Sequence, residues 1–209
     1  MALSGKSKRS TSARVMRAGR SRVLRIIGGT WRGRKLRFPA GSAIRPTPDR
    51  VRETLFNWLG AAVSGAACLD LFAGSGALGL EALSRGATHV TFIERDAVAA
   101  RELALRLAEW QAANAEVIRA DALRYLAGVA RPLDVVFLDP PFASGLLGEA
   151  AALLEERGWL ARGALIYVER SARENLPALP AAWQPLRAKQ AGEVGYHLFT
   201  HAAPGIRTT

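Results

Sequence analysis

The stretch Asp70-Leu71-Phe72-Ala73-Gly74-Ser75-Gly76-Ala77-Leu78-Gly79 decides the fold. It follows a short apolar run, Cys68 to Phe72, and opens a segment of helical pattern. Gly74, Gly76 and Gly79 fit G-x-G-x-x-G, the spacing that lets backbone approach a nucleotide closely at a strand-to-helix turn. Twenty residues past Gly74, at the end of the next apolar run, stands Glu94, placed to accept hydrogen bonds from ribose hydroxyls. A tight turn with a solvated Glu94 is the competing explanation of the glycines taken alone. Within a βαβ unit, and with an acid at that distance, they point to an adenosine-bearing cofactor.

A dinucleotide would rest its pyrophosphate on the helix N-terminus. Asp70, however, sits at the approach to the loop, where it would repel a pyrophosphate. It suits a cationic partner such as the amino group of a methionine moiety, which favours S-adenosylmethionine. Asp121, just after the third strand, is a second acid within range of an adenine ring and its amino group.

Outward from this loop the chain alternates strand and helix patterns. Short apolar runs at Cys68–Phe72, His89–Ile93, Glu116–Arg119, Asp134–Leu138 and Ala164–Val168 are separated by helical segments, one of them Ala97 to Trp110 with the stripe Ala99, Leu103, Leu107 and Trp110. That alternation predicts an α/β fold with a central, mostly parallel sheet. Trp183 to Ala188, a turn around Gly192 and Gly195, and Tyr196 to His201 predict an antiparallel C-terminal hairpin on the sheet edge. Toward the N-terminus, Val23 to Phe38 reads as a small β-hairpin, with Gly28-Gly29 opening its turn and Arg32 and Arg34 near its tip. Thr47-Pro48 predicts a helix start, threonine as N-cap and proline at the first helical position. The expected division is a disordered basic tail over 1–22, a hairpin and helix over 23–60, and a cofactor-binding domain over 61–209.

Asp139-Pro140-Pro141-Phe142 ends the fourth strand of the sheet. In a doubly wound sheet, ligands sit outside the carboxyl ends of the strands, so this tetrapeptide should face the glycine loop across the crevice. Two prolines stiffen the backbone, and Pro140 has a carbonyl but no N–H. Asp139 and that carbonyl would present two acceptors beside the apolar face of Phe142. Two acceptors and a stacking ring match a planar amine conjugated to an aromatic ring. Accepting both N–H bonds draws the nitrogen toward tetrahedral geometry and localises its lone pair toward an electrophile. The rest is alignment and stabilisation of charge developing on nitrogen. A proline-stiffened loop with a buried phenylalanine is the plain structural alternative.

The 209 residues carry a net charge of +11, with a pI near 11.1, and 49% of them are hydrophobic, enough for a sizeable core. The charge is concentrated. Residues 1–52 hold fifteen basic residues and a single acid, Asp49, a net +14, against −3 for residues 53–209. A basic arm beside a slightly acidic body is the footprint of a polyanion binder, a solvated tail being the bland alternative. The first 22 residues lack the apolar core of a secretory signal, and their few apolar residues make a poor amphipathic face for a transit peptide. No stretch is apolar for long enough to span a membrane. One cysteine, Cys68, and three histidines, His89, His197 and His201, offer no disulfide and no zinc set, so no metal is expected.

The pairing of DLFAGSG (Asp70–Gly76) with DPPF resembles class I S-adenosylmethionine-dependent methyltransferases that act on exocyclic amines. More narrowly, Arg25-Ile26-Ile27-Gly28-Gly29 with Arg32-Gly33-Arg34-Lys35-Leu36, then Arg45-Pro46-Thr47, the run Asp49 to Leu59 and the run Leu78 to Ala87 are similar to the RsmD family, in order and spacing over about Arg25 to Ser171. The resemblance implies a Rossmann-like class I methyltransferase fold. It also implies methyl transfer to the 2-amino group of guanine 966 in bacterial 16S ribosomal RNA. Its candidate catalytic residues are Asp139, Pro140 and Phe142. The candidate cofactor residues are Thr47, Asp70, Phe72, Ala73, Gly74, Ser75, Gly76, Glu94, Arg95, Asp121 and Ala122. Of these, the resemblance hints that Thr47 reaches the methionine carboxylate. Candidate phosphate contacts are Arg32, Arg34, Lys35, Arg37 and Arg45.

A cytoplasmic, monomeric enzyme acting on 16S RNA or the assembling small subunit is therefore expected. The target guanine must leave its stack to reach Asp139. A DNA adenine 6-amino methyltransferase would use the same tetrapeptide, but the chain lacks a target-recognition domain of any size. A non-catalytic RNA-binding assembly factor would have no use for an intact DPPF with Glu94. A nicotinamide oxidoreductase would leave both DPPF and the basic arm without explanation.

Overall fold

Asp70, at the end of the first sheet strand, sits beside Phe92 on one side and Phe137 on the other, so the chain's first βαβ unit occupies the middle of the sheet. The structure is a computed structural model and describes residues 22–38 and 47–202. The tail before Arg22 and the candidate Arg45 lie outside the described residues. Strands β1 (Arg22–Arg25) and β2 (Lys35–Phe38) form the two-stranded N-terminal hairpin, followed by helix α1 (Asp49–Leu59). The sheet is then built from β3 (Ala67–Asp70), α2 (Ala77–Ser84), β4 (His89–Glu94), α3 (Ala97–Glu109), β5 (Ala115–Arg119), α4 (Ala122–Leu126), β6 (Leu133–Leu138), α5 (Leu146–Glu156), β7 (Leu160–Ser171), β8 (Trp183–Ala191) and β9 (Val194–His201). Its seven strands lie in the order β5-β4-β3-β6-β7-β9-β8. The first five are parallel, and the β8–β9 hairpin adds antiparallel to β7. This is the Rossmann-like arrangement of class I methyltransferases, with its order reversing between β3 and β6.

Strand residues alternate between two cores, as a pleated sheet covered on both faces requires. Cys68, Phe92, Phe137 and Tyr167 pack with the hairpin and with α1, α2 and α3, while Leu69, Ile93, Val136 and Leu138 pack with α4 and α5. Strand β7 is longer than the expected run Ala164–Val168. It pairs with β6 first at Leu133↔Leu160 and resumes at Val135↔Leu165, so an irregularity carrying the exposed Arg162 and Gly163 interrupts the apolar pattern without ending the strand. The helix start is also corrected. Pro48, not Thr47, is the N-cap of α1, and no side chain caps the helix. The Pro48 carbonyl accepts from Val51 and Arg52, while the Thr47 side chain is turned toward buried carboxyls in the crevice.

Helix α2 is buried on every side, as its nearly all-round apolar sequence requires. The hairpin loop covers its outer face: Thr30 donates from its backbone to the Ser84 carbonyl at 2.7 Å, and Trp31 to Ser84 Oγ at 2.9 Å. At the centre lies Glu81, with no solvent exposure. It accepts from the backbone N–H of Ile27 and Gly28, from Arg52 Nη1 at 3.3 Å and from Arg85 Nε at 2.9 Å. Arg52 is itself fully buried, reaching Asp49 at 2.6 Å and the carbonyls of Arg25 and Thr47. It therefore belongs to the interior and is subtracted from the basic face expected of residues 1–52. Removing the Glu81 carboxylate would leave two backbone donors without an acceptor out of water and take from Arg52 its buried counter-charge, leaving it only the exposed Asp49. Glu81→Ala is expected to cost about 3–5 kcal/mol in a urea unfolding titration. A loss below about 1 kcal/mol would mean that this network does not hold the hairpin.

Candidate active site

Three acids stand on one face of the sheet at the carboxyl ends of adjacent strands. Asp70 ends β3 in register with Phe137 and Tyr167, and Asp139 and Glu169 lie one step further along β6 and β7 on the same face. They border a cavity of about 610 Å³ between the glycine loop and the DPPF segment. Neighbouring strands lie about 4.8 Å apart, so the two outer carboxyls are close neighbours. Of the eleven candidate cofactor residues, ten line this cavity: Thr47, Asp70, Phe72, Ala73, Gly74, Ser75, Glu94, Arg95, Asp121 and Ala122.

Gly76 is the exception. It adopts φ +72° at the N-terminus of α2, and a Cβ there would meet Leu103 Cδ1 at 2.5 Å, so it shapes the turn from behind. Gly79 brings the helix onto the sheet, since a Cβ would lie 2.2 Å from the Phe92 ring. Glu94 fixes the loop: one carboxylate oxygen accepts from the Gly74 N–H at 2.7 Å and the other from the Asp96 N–H at 2.7 Å. Each oxygen keeps a lone-pair direction for hydroxyl donors. Asp121 is the N-cap of α4, accepting from the Arg124 N–H at 3.0 Å. Asp70 accepts from the Gly79 N–H at 3.0 Å.

The cavity floor is electronegative and uncompensated. Among the described residues no salt bridge reaches Asp70, Asp139 or Glu169. Burial pushes the Asp70 carboxyl up to about 7; its bond to Gly79 opposes the shift, and the charges of Glu94 and Glu169 add to it. Burial likewise raises Asp139 well above the ordinary carboxylate range, with Glu169 and then Asp70 adding to the shift and the Thr47 side chain opposing it. Glu169 is raised by burial against hydrogen bonds from Tyr167 and Thr47. Asp139 keeps part of its surface on the cavity although its carboxyl is screened from bulk water. Buried acids without counter-ions fit a cationic ligand and oppose a pyrophosphate. The residues present thus fit S-adenosylmethionine, whose sulfonium and amino group are both positive.

Asp139, Pro140 and Phe142 all line the cavity opposite the glycine loop. Phe142 is 43% exposed, and Ala143 turns the chain at φ +58° directly after it. A large apolar ring left open at a cavity mouth is a stacking platform in waiting. On the outer surface Arg32, Arg34 and Lys35 are exposed around the hairpin tip, and Arg37 continues β2. The Arg34 guanidinium lies 5.8 Å and 5.3 Å from the ring centroids of Trp31 and Trp110, which meet edge to face. Glu169 was not singled out by sequence; nor were Ala191, Glu193 and Val194, which the terminal hairpin brings to the cavity rim. Glu169 lies in an ordinary strand run, and only the register of β7 beside β6 reveals it.

Residues 24–200 match the family model described as Conserved hypothetical protein 95. Ribosomal RNA small subunit methyltransferase D of Escherichia coli K12 is 53% identical over 182 residues, 87% of this chain and 92% of its own. Among solved structures, E. coli yhhF aligns with a TM-score of 0.81 at 51% identity, covering 87% of this chain and 99% of that one. The T. thermophilus 16S rRNA N2 methyltransferase RsmC, solved with AdoMet and guanosine, aligns with a TM-score of 0.60 at 27% identity, covering 88% of this chain and 50% of that one.

The raised Asp70 carboxyl gives cofactor binding a pH signature. Between about pH 4 and 7 the folded, unliganded chain binds a proton there that the unfolded chain has lost, so this group's contribution to stability falls as pH rises through that window. A bound cation displaces the proton. Calorimetry with S-adenosylmethionine at about pH 6.5 should show net proton release, seen as an enthalpy that depends on the buffer, and affinity that rises from about pH 5.5 to 7. Proton uptake, or a flat pH profile, would contradict this electrostatic picture.

Proposed function

The chain belongs to the RsmD family of ribosomal RNA small subunit methyltransferases, and on that premise we propose that it methylates the exocyclic 2-amino group of one guanine, guanine 966, in 16S ribosomal RNA. It is an enzyme, and its cofactor is S-adenosylmethionine. The observation that carries the substrate reading is the position of Asp139-Pro140-Pro141-Phe142. Rigid acceptors and an open aromatic ring share one cavity with the glycine loop and with buried acids that have no counter-ion among the described residues. The name of the K12 relative supports small-subunit RNA as substrate, and the T. thermophilus relative supports an N2 amine.

When bound, the cofactor supplies an electrophilic methyl group on a positively charged sulfur. The chain's own groups do the rest. Asp70 and its neighbours provide the negative field that holds a cation at the carboxyl ends of β3, β6 and β7. Glu94, anchored on Gly74 and Asp96, is positioned for ribose hydroxyls, and Asp121 for the adenine edge. Phe142 stacks on the flipped guanine, while Asp139 and the Pro140 carbonyl accept from its two amino N–H groups. Held this way, the nitrogen lone pair would be aimed at the methyl group that a bound cofactor supplies, and the Asp139 carboxylate is placed to take the surplus amine proton. Alignment and the removal of positive charge supply the acceleration.

The hairpin and α1, residues 23–60, form the RNA-gripping part, with residues 61–209 carrying the chemistry. Arg32, Arg34 and Lys35 present an exposed basic tip for phosphates, and the enzyme works as a monomer in the cytoplasm. Among the described residues no helix is long and apolar enough to cross a membrane.

Two measurements test this reading. Asp139→Ala should still bind S-adenosylmethionine by calorimetry but lose at least about a hundredfold in labelled methyl transfer to small-subunit RNA; full activity would eliminate the DPPF mechanism. Raising salt from about 50 to 200 mM should weaken RNA binding by orders of magnitude and leave cofactor affinity nearly unchanged. A parallel fall of both would refute the division between basic arm and acidic cavity.

A further inference from the structure

We propose that Glu169 is a specificity-determining residue that reads the N1–H of the target guanine while Asp139 takes its 2-amino group. The inference rests on the guanine N2 reading above and extends it to a residue to which that mechanism gives no contact with the base. Glu169 lines the cavity, is only 2% exposed, and stands beside Asp139 in the register of two parallel strands, on the same sheet face. With no cation to pair with among the described residues, and burial raising its carboxyl in spite of the bonds from Tyr167 and Thr47, a charged Glu169 gains from a further donor on the ligand.

The chemistry of the base supplies that donor. Guanine presents N1–H and the 2-amino group side by side, so two adjacent acceptors match its edge. Adenine presents an acceptor at N1 beside its amine, which a carboxylate repels. The carboxyl is also held in a defined orientation. Tyr167, itself fully buried, donates its hydroxyl to Glu169 Oε1 at 2.8 Å, which leaves the second carboxyl oxygen free of that bond on a residue that lines the cavity. The amide of a glutamine would keep its Oε1 on the Tyr167 hydroxyl and turn its NH2 to the cavity. The single substitution Glu169→Gln therefore exchanges an acceptor for a donor at the point where N1 would lie.

The experiment uses full-length protein and a small-subunit RNA fragment carrying either guanine or 2,6-diaminopurine at the methylated position. Diaminopurine keeps the 2-amino group but has a bare, accepting N1. Wild type should methylate guanine about ten- to hundredfold faster than diaminopurine, the range expected for a hydrogen bond to a charged group. In Glu169→Gln that preference should fall at least tenfold or invert. Equal rates on the two bases in wild type, or an unchanged preference in Glu169→Gln, would overturn the assignment, and the wild-type comparison stands even if the variant folds poorly. If wild type forms no 2-methylguanosine on the guanine fragment, the parent reading fails and takes this one with it, an outcome distinct from methylation without discrimination.

Discussion

The buried carboxylate of Glu81 is the interaction on which the rest of the molecule hangs. Four donors from three separate parts of the chain converge on it: the backbone of the hairpin loop, Arg52 of α1 and Arg85 just past α2. Among the described residues the backbone N–H groups of Ile27 and Gly28 have no other acceptor, and Glu81 is the only fully buried counter-charge of Arg52. The carboxylate therefore sets where the hairpin and α1 sit against α2. Helix α2 is only eight residues long, and its N-terminus is the glycine loop. One end of a short rigid element receives the N-terminal arm, and the other end shapes the cofactor cavity.

The contrast between two kinds of buried acid separates structure from function here. Glu81 is saturated with donors and paired with arginines. Asp70 and Glu169 are nearly as deeply placed and Asp139 lines the same cavity, but the three hold no cation among the described residues, and burial raises all three carboxyls. Retaining such a group has a cost that a stability argument alone does not justify. A cationic cofactor repays it on binding, as would the amine substrate proposed above. The charge divides accordingly: the exposed Arg32, Arg34 and Lys35 of the hairpin suit a polyanion, and the acidic cavity suits a cation.

Much of this was legible in the chain itself, because local signals carried it. The glycine spacing, the alternation of apolar runs and the two prolines of the DPPF segment each act over a few residues, and they located the parallel sheet, the loop and thirteen of the fourteen candidate catalytic and cofactor residues at one cavity. What escaped depends on partners distant in sequence. Arg52 looks like one more member of a basic stretch until Glu81 is seen beside it. Thr47 before Pro48 looks like a helix cap, but acids contributed by β6 and β7 draw its side chain away. Glu169 becomes a site residue only through the pairing of β7 with β6, and the irregularity around Gly163 hid the first turn of that strand pairing from any periodicity.

The central claim is methylation of one guanine amine in small-subunit RNA through the DPPF cavity. Nucleoside mass spectrometry of that RNA, from cells with the gene, without it, and with the gene carrying Asp139→Ala, addresses substrate, atom and site together. The account predicts that one 2-methylguanosine disappears when the gene is removed and is not restored by the Asp139→Ala copy. Unchanged 2-methylguanosine in the gene-less cells, or full restoration by the variant, would contradict it.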